Sequence, residues 1–208
     1  MTHPDLQTRV VQNILSRGRQ FRAFLLNAGH SDCGAYEYSS SIAYHWELVK
    51  LFSDSPRIAE EARTMEDVSR YMFSHAEHRF YCQMELWCSL NGVLDALARR
   101  FSPAEIFGAT EKSLAAAITT LEKCDKTLSH NHVDFEYARF LVLHAARMLH
   151  EASETIPEAN EELSKKLNEA RVPLRQAIVA LEKNSDNAAV TARENTNAAL
   201  TLVKATVA

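Results

Sequence analysis

Residues 69–92 read SRYMFSHAEHRFYCQMELWCSLNG, a run with no proline and no glycine before its last position, so an α-helix is the conformation it supports. At ~100° per residue, Phe73, Ala76, Phe80, Met84, Trp87 and Leu94 fall on one stripe. Nearly opposite lie Tyr71, His75, His78, Cys82 and Glu85. A surface helix carries Lys, Glu or Ser on its second face. This one carries side chains that bind metals and exchange protons, so His75, His78, Cys82 and Glu85 are the candidate ligands. His45, His144 and His150 could complete such a site from other helices, and Zn, Fe or haem would suit the donor set.

Working upstream, Ser55-Pro56 is a helix start, with Ser as N-cap and Pro in the first turn. The helix, or helix pair, that begins there extends towards Arg100 and is expected to be central. A helix over residues 35–52 places His45 among Ile42, Trp46 and Val49, as a core histidine or a buried ligand. A first helix over residues 4–28 carries Arg9, Arg17, Arg19 and Arg22 and ends at Gly29. An ordinary bundle helix and a targeting or membrane-surface segment share that pattern.

Downstream, Phe101-Ser102-Pro103-Ala104-Glu105-Ile106 carries a capping box and a hydrophobic staple. The helix so opened is interrupted at Gly108, beyond which Leu114, Ile118, Leu121 and Leu128 hold a stripe. Asn131 is the expected cap of a helix that starts at Val133 and is apolar on two sides. Pro157 opens the next segment, whose stripe Leu163, Leu167, Ala170, Leu174, Ile178 and Leu181 keeps its phase across Pro173, which predicts a kinked but continuous helix there. A thinner stripe over residues 187–207 predicts a last helix, the least firmly held of the set.

Composition agrees with helices. Gly and Pro number 5 each, too few for the turns of an all-β protein, and 46% of the residues are hydrophobic. The expected fold is all-α, an up-and-down bundle of six to eight mostly antiparallel helices in a single domain over residues 1–208. Its front half (1–108) is rich in aromatic residues and His, and its back half (109–208) in Ala, Glu, Lys and Leu. A net charge of −4 offers no basic footprint for nucleic acid, and no apolar run is long enough for a membrane span. The four cysteines, Cys33, Cys82, Cys88 and Cys124, contain no Cys-x-x-Cys pair, which points to a reducing, cytoplasmic setting.

Chemistry-bearing motifs are sparse. Glu-x-x-His, His-Glu-x-x-His, Gly-rich phosphate loops and nucleophile elbows do not occur in the sequence. Arg70 and His75, and again Arg139 and His144, are spaced Arg-x4-His. This resembles the pair of HEPN-type all-helical ribonucleases, which implies His as acid or base and Arg on the phosphate. The polar residue that follows the arginine in that family is replaced here by Tyr71 and Phe140. The leading expectation is a non-enzymatic interaction or regulatory module that meets a protein partner, or a second copy of itself, through helix faces. A metal- or haem-binding oxidoreductase or sensor is the alternative, and a HEPN-like ribonuclease the third.

Overall fold

The computed structural model describes residues 54–74, 79–157, 160–183 and 187–207, together with Ser16, Gly18, Gln20, Arg22, Leu25 and Leu26, which are helical. The described residues form helices and no strand, which makes the protein all-α. The expected helix over residues 35–52, and with it His45, lies outside them. The chain separates into two compact units, Met1–Phe101 and Ser102–Ala208.

In the first unit, α1 (Pro56–Ser74) starts where Ser55-Pro56 signals a start, with the Ala59 amide donating to the Ser55 carbonyl at 3.1 Å. α2 (Arg79–Arg100) runs back along it. Arg100 Nη1 meets Asp54 Oδ1 at 3.0 Å at one end, and Gly92 lies under Glu61 further along. The stretch that could have been one helix or a pair is therefore a pair, and Tyr71 and Cys82 belong to different helices.

The buried face of α2 takes in Trp87 and Leu94 of the expected stripe but is broader than it. Cys82, Leu86, Leu90, Val93 and Leu97 are fully buried, while Met84 is partly exposed. Their spacings of four, four, three and four make Cys82 the first member of an apolar seam. Each leucine so buried contributes roughly 1.5–3 kcal/mol. Trp87, Asn91 and Leu94 extend the buried surface round one flank, and Arg22 Nη1 donates to Asn91 Oδ1 at 3.3 Å.

The second unit begins with the capping box. α3 (Pro103–Phe107) is opened by Ser102, whose amide donates to Glu105 Oε2 at 3.1 Å. It ends at Gly108, which adopts φ 83°, a region that side-chain-bearing residues avoid. Four long helices follow: α4 (Thr110–Leu128), α5 (Phe135–Glu154), α6 (Glu161–Lys183) and α7 (Ala188–Val207). Each packs on the next, and α7 closes the ring against α4. The Thr110 hydroxyl donates to the Thr155 carbonyl at one end of the α4–α5 pair, and Cys124 Sγ to the Ala138 carbonyl at the other, so these helices are antiparallel. This is an up-and-down four-helix bundle.

Its core explains itself from spacing. Leu114, Ala117, Leu121, Cys124 and Leu128 are buried on α4, and Ala138, Leu141, Ala145, Met148 and Ala152 on α5. Leu167, Ala170, Leu174, Ala177 and Leu181 do the same on α6. Steps of three and four in turn hold one seam facing inward. Along α5 and α6, large residues alternate with alanine, so bulk from one helix can enter the gap left by the other. α6 passes through Pro173 without interruption, as its unbroken stripe predicts.

Two boundaries differ from the sequence reading. α5 starts at Phe135, capped by Asp134, whose Oδ1 accepts from the Tyr137 amide at 2.9 Å. Asn131 and Asp134 are both capable caps, and the one that lets Ala138 reach the core is used. α6 starts at Glu161 rather than at Pro157, with Asn160 Oδ1 accepting from the Leu163 amide at 3.2 Å. α7 buries Ala188, Ala192, Thr196, Ala199 and Val203, and its polar side is tied to α4. Arg193 Nε and Asn197 Nδ2 both reach Asp125 Oδ1, at 2.7 and 2.9 Å, and Lys204 Nζ reaches Glu122 at 2.8 Å.

Candidate functional site

Of the proposed ligand stripe, Cys82 and Glu85 lie on α2. His75 and His78 lie outside the described residues. Cys82 is fully buried at the start of the apolar seam of α2, and burial pushes its thiol above the ordinary range, with the Glu85 carboxylate adding to the effect. A thiol in that environment favours the protonated form, the one that packs like a small apolar side chain. Glu85, one turn on from Cys82, is half-buried. Among the described residues no three His, Cys, Asp or Glu side chains gather as a metal site would need.

The supplementary ligands are placed in the second unit. His144 is buried in α5, 5% exposed, one turn before Arg147. His150 is half-exposed, with Nδ1 3.7 Å from Glu154 Oε1 on the same helix. The Arg-x4-His spacings do not give convergent pairs in the described helices. Arg139 and His144, five residues apart on α5, project about 140° from each other. Arg70 grips Glu66 Oε1 with Nε at 3.0 Å and Nη2 at 2.6 Å, and its companion His75 is outside the described residues.

Sequence reasoning missed one charged feature. Arg147 and Glu151 form an ion pair at 2.9 Å in which the Glu151 side chain is 0% and the Arg147 side chain 10% exposed. The Arg147 guanidinium also lies over the Phe107 ring, 5.4 Å from its centre, joining α3 to α5. The spacing of four was visible in the sequence. α5 turns Glu151 inward and Glu154 outward.

Two further cysteines, Cys88 and Cys124, lie among the described residues. Burial pushes the Cys124 thiol up to about 12, with the Thr196 hydroxyl opposing and Asp125 reinforcing the shift. Cys88 is exposed, yet the partial burial of its sulfur raises its thiol, helped by the carboxylates of Glu85 and Glu61.

What the first unit does offer outward is aromatic. Tyr71 on α1 is 44% exposed and Tyr81 on α2 is 64% exposed. The antiparallel register fixed by Asp54–Arg100 and Glu61–Gly92 brings both to the same end of the hairpin. Charge pairs occupy the exposed side of α1 beyond them, Arg57 with Glu61 at 2.5 Å and Glu66 with Arg70. No described helix is long and apolar enough to cross a membrane. No known family, curated protein or solved structure matches this chain.

Proposed function

We propose that this chain is a non-enzymatic helical interaction module, and that it engages a protein partner through the Tyr71–Tyr81 end of the α1–α2 hairpin. The observation that carries the reading is the exposure of these two rings on helices whose opposite faces are buried. Tyrosine is enriched in interface cores because it covers a large area, keeps a polar tip and gives up few rotamers on being fixed. The Glu66–Arg70 pair beside Tyr71 would form part of a polar rim.

The test places the photo-reactive residue p-benzoylphenylalanine at position 81 of the full chain in the cells that express it. Irradiation should give one discrete heavier adduct, lost when Tyr71→Ser is added. The same probe at Arg99, an exposed position far along α2, should give none. Equal adducts at both positions, or none at position 81, would remove the basis of the proposal. Light scattering on the purified chain then tells a second copy from a different protein.

A further inference from the structure

We draw no further inference here: the strongest candidate, the open groove between the end of α5 and the first turns of α6, bordered by Ile156, Pro157, Asn160, Lys165 and Val172, is a surface depression, and nothing in the structure shows what covers it.

Discussion

Gly92 sits in the interior of α2, where glycine costs about 1 kcal/mol relative to alanine. Its retention is explained by α1: a methyl group at this position would stand 2.6 Å from Glu61 Cδ and 3.1 Å from its Cγ. Both contacts are with a side chain rather than with backbone, so Glu61 can yield. Yielding moves it off its rotamer, at about 1 kcal/mol, and loosens its ion pair with the half-exposed Arg57, worth about 0.5 kcal/mol. Gly92→Ala alone should therefore leave stability nearly unchanged. In a Glu61→Ala background the obstruction is gone, and the same substitution should gain about 1 kcal/mol. The cycle thus predicts a coupling of about 1.5 kcal/mol between two positions far apart in sequence. Both tryptophans, Trp46 and Trp87, lie in the first unit, so urea unfolding followed by tryptophan fluorescence reports on this unit alone. A full stabilisation by Gly92→Ala with Glu61 in place would show that the helices do not approach as described.

Four further outcomes can be checked. Arg147→Leu leaves the Glu151 carboxylate inside the bundle without its ion pair and should cost about 3 kcal/mol, read by circular dichroism; a loss below about 1 kcal/mol would mean the carboxylate is satisfied otherwise. Asp125 is held below its ordinary value of 3.8, first by the Arg193 hydrogen bond and also by that from Asn197. Its contribution is therefore complete above about pH 4 and is lost as the pH falls through the lowered value; Asp125→Asn should cost up to about 1 kcal/mol at pH 7 and flatten that acid limb, and an unchanged limb would contradict the assignment. With a disulfide reagent at pH 8, Cys88 should react in the native chain before Cys82 and Cys124, which should wait for unfolding; early modification of Cys124 would be inconsistent with its burial. Metal analysis of chain purified without a His tag should find no stoichiometric Zn, Fe or haem; finding one, lost on His75→Ala or His78→Ala, would replace the interaction reading with the metal-binding one.

Local signals were the legible part of the sequence. Ser102, Pro103 and Glu105 specify a helix start within one turn, and the structure uses it. The stripe across Pro173 predicts a continuous helix because phase is a long-range count that one missing amide does not reset. What could not be read is where a chain reverses without a breaker. Between Ser74 and Arg79 the sequence is His-Ala-Glu-His, free of Gly, Pro and Asn, yet α2 returns along α1. A single helical wheel carried from Tyr71 to Glu85 therefore joined two helices. Leu86, Leu90 and Val93 held the correcting signal, since they extend the Cys82 face as an apolar seam. Gly92 could be read only as a weak point of a helix, because the reason for it lies on α1.

Pro173 has a consequence for how α6 comes apart. Proline has no amide hydrogen, so the Glu169 carbonyl lacks its partner one turn on, and the ladder that holds the other residues of the helix is interrupted there. In side-chain packing α6 is one rod, its seam continuous from Leu167 to Leu181. In cooperative opening it is two. The turns before the proline can fray from the Asn160 end without loosening the turns that hold Leu174, Ala177 and Leu181 in the core. The bundle therefore carries a separable helical segment within its chain, beside the α5–α6 corner.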